Sequence, residues 1–357
     1  MDAAPTSMPS ASRPCVNAIL AGRCRAVRAL LTLACLLALP AIAAAAEPLS
    51  AADQVAQMKR GVNIVGYDPL WQDPSKGRFK PRHFRIIKEG GFDTVRINLY
   101  GFRPMNDRLE LPASWFAILD QLIGEALKQD LHVILDEHDY ERCGKDAESC
   151  RTHVLAFWTQ VAERYRLASP NVMFEILNEP NRVMDSKWNA LIPEALAVIR
   201  KTNPTRNVVI GPAFWNNISH LPELALPEAD RHIIVTVHYY EPHRFTHQGA
   251  RWAPEYTNLS GIHWGSAEDL AKIDQDFDVA QAWAKKNGRP ILLGEFGAYD
   301  KAPQEDRIRY TAAVARAAEK RGWAFTYWQF DSNFIVYDID KDAWNEPVYR
   351  ALVPPAR

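Results

Sequence analysis

The sequence lacks a charge imbalance. Its 357 residues include 42 Lys and Arg against 43 Asp and Glu, which gives a formal net charge of -1. Nucleic acids and acidic membrane surfaces attract proteins with a basic face, so we expect neither as a partner. No internal repeat, linker or low-complexity segment occurs after residue 50, which indicates a single domain. No G-x-G-x-x-G loop follows an early strand-like segment, which argues against a dinucleotide-binding open sheet.

Cysteine is also scarce. Three of the five cysteines lie before residue 36, so only Cys143 and Cys150 belong to the rest of the chain. A polar, loop-like segment of six residues separates these two. In an oxidising compartment the simplest expectation is a local disulfide between them. A metal site that uses both thiolates, with His153 as a third ligand, is the alternative.

The N-terminal segment is typical of a secretory signal peptide. Arg23, Arg25 and Arg28 precede an apolar stretch at 29–45 that ends in alanines. We expect residues 1–46 to be removed and residues 47–357 to act outside the cytoplasm, secreted or periplasmic. An uncleaved membrane anchor is the alternative, although Pro40 interrupts a stretch already short of the about 20 residues that a span requires.

Apolar, strand-like segments alternate with amphipathic, helix-like segments along the chain. Alternation of this kind predicts a parallel sheet, and eight units predict a closed (β/α)8 barrel, an α/β fold known as the TIM barrel. The predicted helices are Pro81–Glu89, Ser114–Gln129, Arg151–Arg166, Asp185–Lys201 and Glu268–Asn287, with Ser114 and Asp185 as helix starts. The eight predicted strands are Gly61–Tyr67, Thr94–Leu99, His132–Asp136, Val172–Leu177, Asn207–Gly211, His232–His238, Pro290–Gly294 and Ala324–Phe330.

Polar and aromatic residues follow or end several of these strands. In a barrel the carboxyl ends of the strands meet at one face, where active sites are built. We therefore expect one pocket to contain Arg96, Asn98, His138, Asn178, Glu179, His238, Tyr240, Glu295 and Trp328.

Two of these residues, Glu179 and Glu295, are carboxylates that follow apolar strands. Cleavage of a glycosidic bond requires such a pair, because one acid protonates the leaving oxygen while the other carboxylate acts as base or nucleophile. Arg96 and Tyr240, placed around Glu295, would keep it ionised. Burial and a neighbouring negative charge would raise the pKa of Glu179 and let it hold a proton. The sequence thus favours hydrolysis of a sugar polymer.

The same residues resemble the conserved positions of glycoside hydrolase family 5, in particular its endo-glucanase branch. Asn178-Glu179-Pro180 matches the acid/base motif of that family, and Gly294-Glu295-Phe296-Gly297 matches its nucleophile motif. The resemblance spans about residues 59–335. It implies Glu179 as acid/base, Glu295 as nucleophile, retention of configuration, Trp328 as a sugar platform and no cofactor. The other positions that carry it are Arg96, His138, His238 and Tyr240.

The expected substrate is a β-1,4-glucan, of the cellulose or mixed-linkage type, bound by a monomer. The segment His238–Trp252 is similar to family cellulases with broad β-1,4-glucan activity, and Trp215 is the first further candidate for sugar stacking. Many members carry two adjacent histidines where this chain has His138-Asp139, which leaves the polymer open. A β-mannanase or a xyloglucanase would use the same machinery. An inactive sugar-binding barrel and a metal-dependent hydrolase are alternatives from other classes.

The acidic segment 136–139 suggests a metal cluster at first sight. Neighbouring residues of a strand point to opposite faces, so its four side chains cannot all bind one ion. We therefore expect no catalytic metal at Asp136-Glu137-His138-Asp139.

Overall fold

Within residues 48–355, the part of the chain that the computed structural model describes, eight parallel strands close into a barrel. Each strand pairs with the next, and β8 pairs with β1, so the predicted (β/α)8 fold is confirmed. The strands are β1 (Arg60–Ile64), β2 (Thr94–Leu99), β3 (His132–Glu137), β4 (Val172–Glu175), β5 (Val208–Ile210), β6 (Ile233–Tyr239), β7 (Ile291–Phe296) and β8 (Ala324–Tyr327).

Helices cover the outside of the barrel, and the predicted amphipathic segments coincide with five of them. Their apolar faces pack on the outward-facing strand residues in one continuous hydrophobic core. The helices of seven or more residues are Ala51–Met58, Arg82–Glu89, Ala113–Leu127, Ala147–Arg164, Trp188–Arg200, Ala267–Asn287, Gln304–Lys320 and Glu346–Leu352. Short helical turns at Tyr140–Cys143, Ala213–Asn216 and His243–Thr246 lie in the connections after β3, β5 and β6.

Both predicted helix starts are wrong by one to three residues. One helix begins at Ala113 after Pro112, so Ser114 lies inside its first turn. The other begins at Trp188, and the Asp185 carboxylate instead accepts a hydrogen bond from the Phe214 amide, 2.8 Å away. An acid near a helix start indicates an N-cap only when no distant backbone donor competes for it.

The barrel interior is apolar at its N-terminal end. The helix Ala51–Met58 closes this end, and its buried residues join Ile134, Met173 and Val209 with other inward-facing strand side chains in a separate cluster. Gly61 on β1 permits the close approach of β2 and β8, because a Cβ there would lie 2.8 Å from the Thr94 carbonyl oxygen and 2.7 Å from Thr326. The inward-facing side chains at this end are thus mainly apolar, whereas Glu295 and the other residues predicted for the pocket lie towards the opposite, C-terminal end of the barrel.

Cys143 and Cys150 form a disulfide, as predicted, with their Cα atoms 4.6 Å apart. The bond closes the short loop between the turn Tyr140–Cys143 and the helix Ala147–Arg164, and it replaces the alternative of a metal site at these thiols. Among the described residues, no helix is long and apolar enough to span a bilayer. The proposed signal segment 1–46 lies outside the described residues.

Candidate active site

A cleft of about 800 Å³ opens at the C-terminal ends of the strands. Its position agrees with the expectation that polar residues after the strands share one pocket. Eight of the residues proposed for the site line this cleft: His138, Asn178, Glu179, Trp215, His238, Tyr240, Glu295 and Trp328.

Glu179 and Glu295 face each other in the cleft. One carboxylate oxygen of each lies within 4.8 Å of the other and of a ring nitrogen of His238. Glu295 ends β7, whereas Glu179 follows β4 in a backbone conformation with φ of 43°. A non-glycine residue with positive φ is strained, and such residues concentrate at functional sites. The Asn181 amide stabilises this turn by donating to the Glu179 carbonyl at 2.7 Å.

Two donors hold the Glu295 carboxylate. The Tyr240 hydroxyl donates to Oε2 at 2.9 Å, and Arg96 Nη1 donates to Oε1 at 2.7 Å. A hydrogen bond to a charged group is stronger than one between neutral groups, so these two donors fix the orientation of the carboxylate. Burial, together with the negative charges of Glu295 and Glu179, raises the pKa of Tyr240 well above its usual value, so the tyrosine is a hydrogen-bond donor at neutral pH.

Arg96, expected in the pocket, is fully buried and lies behind the residues that line the cleft. It lies below the carboxylates and forms a bidentate pair with Glu175, at 2.7 and 2.9 Å. It also bonds Glu295 and lies 3.1 Å from Asp136. Burial alone would lower the pKa of Arg96, but Asp136 and Glu175 raise it well above its ordinary value. The arginine is thus a buried cation below the Glu179 and Glu295 carboxylates.

The side chains of the segment 136–139, at the end of β3, alternate between two faces of the strand, as predicted. Asp136 and His138 point inward and share a hydrogen bond of 2.6 Å. Glu137 and Asp139 point the other way, where Asp139 pairs with Arg103 at 2.6 Å. Burial would lower the pKa of His138, but Asp136 outweighs it and raises that pKa. The hydrogen bond and the negative charge of Asp136 thus favour the protonated form of the His138 ring.

Glu179 has the surroundings of an acid. Its side chain is 15% exposed. Burial raises its pKa from 4.5 to about 7, although the positive charges of His138 and Arg96 oppose the shift. His238 lies 2.8 Å from Glu179 through Nδ1. Burial lowers the pKa of His238 to about 4, so its ring is neutral at pH 7.

Asn178 presents a hydrogen-bond donor to the cleft. Its amide oxygen accepts from Arg96 Nη2 at 2.9 Å. Because an amide has one oxygen and one NH₂ group, the NH₂ group is left for a ligand. Asn98, also predicted in the pocket, does not line the cleft and instead donates to Asp136 at 2.9 Å.

The tryptophans near the cleft differ in how much of the ring is exposed. Trp328 is only 5% exposed and stacks on the ring of His138, with centroids 5.4 Å apart. Trp215 and Trp252 are 44% and 51% exposed and line the cleft. Trp71 instead packs against Trp115 in the hydrophobic core. Exposed, flat apolar rings suit the faces of sugar rings.

The long aromatic segment after β6 forms one wall of the cleft, as its composition predicts. Lining residues from this segment include His243, His247, Trp252 and Tyr256. His243 stacks with His247 and with Tyr256, at centroid separations of 5.1 and 6.2 Å. The segment therefore provides a continuous aromatic surface beside the two carboxylates.

Four residues of the site were not predicted from the sequence. Tyr67 and Tyr140 also line the cleft, and neither has a signal beyond its place after a strand. Glu175, the partner of Arg96, had a signal, because a single acid inside the apolar run of β4 needs a buried cation. Asn216 bonds His238 from the turn after β5, where Phe-Trp-Asn predicts no special backbone.

Comparison with known proteins places these observations in a family. Residues 55–334 match the family model described as cellulase, glycosyl hydrolase family 5. Endoglucanase H of Acetivibrio thermocellus is 30% identical over 320 residues, which are 85% of this chain and 33% of that protein. The chain thus spans about a third of the length of this relative.

Solved structures give the same result. Thermotoga maritima Cel5A in complex with mannotriose has a TM-score of 0.80 and 39% identity, over 84% of this chain and 99% of that chain. The same protein in complex with cellobiose has equal values. The match covers both the barrel and the strand ends that carry the paired carboxylates.

Proposed function

This chain belongs to glycosyl hydrolase family 5, and on that premise we propose that it is a retaining endo-β-1,4-glucanase that hydrolyses internal bonds of cellulose-type or mixed-linkage β-glucans. The observation that carries the proposal is the carboxylate pair, whose oxygens lie within 4.8 Å. Retaining enzymes place the two carboxyl groups about 5–5.5 Å apart, whereas inverting enzymes need about 6.5–9.5 Å to admit a water molecule.

In the first step Glu295 attacks the anomeric carbon while Glu179 donates its proton to the departing glycosidic oxygen. Arg96 and Tyr240 support this role, because their hydrogen bonds orient the Glu295 carboxylate and hold it at the cleft surface. Burial supports the role of Glu179, since a pKa raised to about 7 keeps about half of it protonated at pH 7 and most of it protonated in weakly acidic solution. The products are a glycosyl ester on Glu295 and a free sugar end.

In the second step the Glu179 carboxylate takes a proton from water, and that water attacks the anomeric carbon of the ester. Two inversions at one carbon restore the β configuration. The NH₂ group of Asn178, held by Arg96, is positioned to bind the sugar 2-hydroxyl, a contact that strengthens in the transition state. The cleft residues Trp215, His138, His238 and Trp328 would bind the flanking sugars.

A second candidate substrate is β-mannan. It is favoured by one observation, the mannotriose complex of the similar Cel5A structure. The two activities share every step above, so the residues that hold the hydroxyl groups decide between them. We further propose that residues 1–46 direct the enzyme out of the cytoplasm and that 47–357 act as a monomer.

The test is reducing-sugar release from carboxymethyl-cellulose, mixed-linkage β-glucan, mannan and xyloglucan, with Glu295→Gln as the control. Release mainly from the first two, abolished in the variant, supports the proposal. Release mainly from mannan or from xyloglucan keeps the mechanism and changes the substrate. No release from any polymer by the wild-type protein contradicts the proposed activity, and a first-formed product with α configuration contradicts retention.

A further inference from the structure

His238 is held on both sides by side chains, Glu179 and Asn216, and the proposed mechanism gives Asn216 no role. Its Nδ1 lies 2.8 Å from Glu179 Oε1, and its Nε2 lies 3.2 Å from Asn216 Nδ2. The Asn216 residue is 0% exposed, and the His238 side chain is 2% exposed. The three side chains therefore form a buried chain of hydrogen bonds that ends at the acid.

The chemistry of these groups dictates where the ring proton lies. An amide NH₂ group can only donate, so Nε2 must accept from Asn216 and carries no proton. A neutral imidazole has one N–H, which is then at Nδ1 and donates to Glu179 Oε1. The acid proton of Glu179 must consequently reside on its other oxygen, Oε2.

We propose that Asn216 is a positioning residue that fixes His238 as the Nδ1–H tautomer and thereby keeps the acid proton of Glu179 on Oε2. The inference rests on the proposed function, since it assigns Glu179 as the acid. With the opposite tautomer, Nδ1 would be an acceptor and Glu179 would turn its proton towards His238 instead of the glycosidic oxygen. The same oxygen, Oε2, then serves as acid in the first step and as base in the second.

The backbone around Asn216 has an unfavourable conformation. Phe214, Trp215 and Asn216 have φ values of 55°, 59° and 55°, a run of three left-handed residues without glycine. This conformation is unfavourable for every residue that carries a Cβ. The Asn216 Oδ1 is also buried without a hydrogen-bond partner, and a Cβ at Gly211 would collide with it. Strain of this kind persists where surrounding contacts enforce it, and it concentrates at functional sites.

Three contacts enforce this turn, and two of them join it to the catalytic groups. The Trp215 amide donates to the Pro180 carbonyl at 3.0 Å, directly after Glu179. Asn217 forms a β-bridge with His238. The third is the hydrogen bond from Phe214 to Asp185. The turn is thus fastened to the segments that carry the acid and its histidine.

The Nδ1–H tautomer exists only while His238 is neutral, and the groups around the ring are compatible with that state. Burial lowers its pKa most, while Glu295, 3.7 Å from Nδ1, acts in the opposite direction. The other titratable or charged groups that face His238 and Glu179 come from several strands and loops. They are Arg96, Asp136, His138, Tyr140, Tyr240 and His243.

Asn216→Asp tests the proposal, because a carboxylate can only accept at Nε2 and therefore moves the ring proton there. The matched control is Asn207→Asp, at the other end of the same strand, where Asn207 is also buried with an unpaired Oδ1. Two substrates separate the effects. Cellotetraose has a leaving group that needs a proton, whereas dinitrophenyl cellobioside has one that does not.

For Asn216→Asp we expect kcat/KM to fall about 100-fold or more on cellotetraose, within the range of general acid catalysis, and only a few-fold on dinitrophenyl cellobioside. Asn207→Asp should leave the ratio of the two substrates at its wild-type value. An equal fall on both substrates for Asn216→Asp, or no fall on either, overturns the proposal. If the wild-type protein cleaves neither substrate, the proposed function fails instead.

A measurement on the wild-type protein decides the matter even if Asn216→Asp does not fold. The ¹⁵N shifts of ¹⁵N-histidine-labelled protein report which ring nitrogen is protonated, and His238→Gln identifies the resonances. We expect a neutral ring with its proton on Nδ1 at pH 7. A proton on Nε2, or a doubly protonated ring, overturns the proposal.

Discussion

The alkaline limb of the pH–rate profile should report Glu179. The acid step needs the protonated carboxyl group, and burial raises its pKa from 4.5 to about 7. A raised pKa preserves the acid form up to about pH 7 and loses it above that value. We therefore expect kcat/KM for cellotetraose to be highest in weakly acidic solution, to halve near pH 7 and then to fall tenfold for each further pH unit.

The size of the effect follows from the shift. A difference of about 2.5 between 4.5 and about 7 corresponds to about 3 kcal/mol at 1.36 kcal/mol per unit. At pH 7 about half of Glu179 would be protonated, against roughly 1 molecule in 300 for an unshifted carboxyl group. Burial thus increases the population of the active acid about 150-fold at that pH.

The assay compares two substrates between pH 4 and 9. Cellotetraose should show the alkaline limb, whereas dinitrophenyl cellobioside should lose it, because its leaving group departs without a proton. Glu179→Gln should remove the limb and retain turnover of dinitrophenyl cellobioside in the first step. An alkaline limb that is identical for both substrates, or one that lies near pH 4.5, would refute the assignment of Glu179 as the acid.

Three further changes have distinct expected outcomes. Arg96→Met leaves Glu175, Asp136 and Glu295 without their buried cation. Urea denaturation should therefore show a loss of about 3–5 kcal/mol in the free energy of unfolding. A loss under about 1 kcal/mol would contradict the role of Arg96 as the cation that stabilises these carboxylates. Replacing Cys143 and Cys150 together by Ser opens a loop with a sequence separation of 7. The chain entropy of such a loop corresponds to about 2–3 kcal/mol of stability. Calorimetry should therefore show a lower Tm, whereas assays at 25 °C should show little change in kcat. Trp215→Ala removes an exposed aromatic ring from the cleft. A loss of about 1.4 kcal/mol in binding free energy should raise KM for β-glucan about tenfold and leave kcat nearly unchanged. A fall in kcat at constant KM would argue against a role of Trp215 in binding.

The strands were predictable because parallel strands buried on both faces read as continuous apolar runs. The predicted segment Thr94–Leu99 coincides with β2, and the other seven differ from the observed strands only at their ends. Closure of the barrel brings the ends of all eight strands to one face. For this reason Glu179 and Glu295, 116 positions apart in the chain, could be expected in one cleft from sequence alone.

The depth of a residue in the barrel was not predictable from sequence. Arg96 lies in the middle of β2 and His138 directly follows β3; Glu295 covers Arg96, while His138 reaches the cleft. Which residue covers another depends on strand stagger, which the pairing register sets. Asp136 and Glu175 share one level of that register, so both can reach the guanidinium of Arg96.

Backbone strain was equally hidden. The segment Phe214-Trp215-Asn216 contains none of the glycines that usually signal left-handed residues, and its conformation is enforced by contacts with Pro180, Asp185 and His238. Such long-range contacts override local propensity. Asn216 could therefore be recognised as part of the site only from the structure.

The most direct test of double displacement through Glu295 is to trap the glycosyl ester. A dinitrophenyl cellobioside with fluorine at C2 of the reacting sugar should form the ester quickly and hydrolyse it slowly, because fluorine removes the 2-hydroxyl contact that both steps use. Mass spectrometry of the peptide fragments should then locate a fluorocellobiosyl group on Glu295. Reaction without any covalent adduct, or an adduct on Glu179 or another residue, would contradict the double-displacement mechanism proposed for this pair.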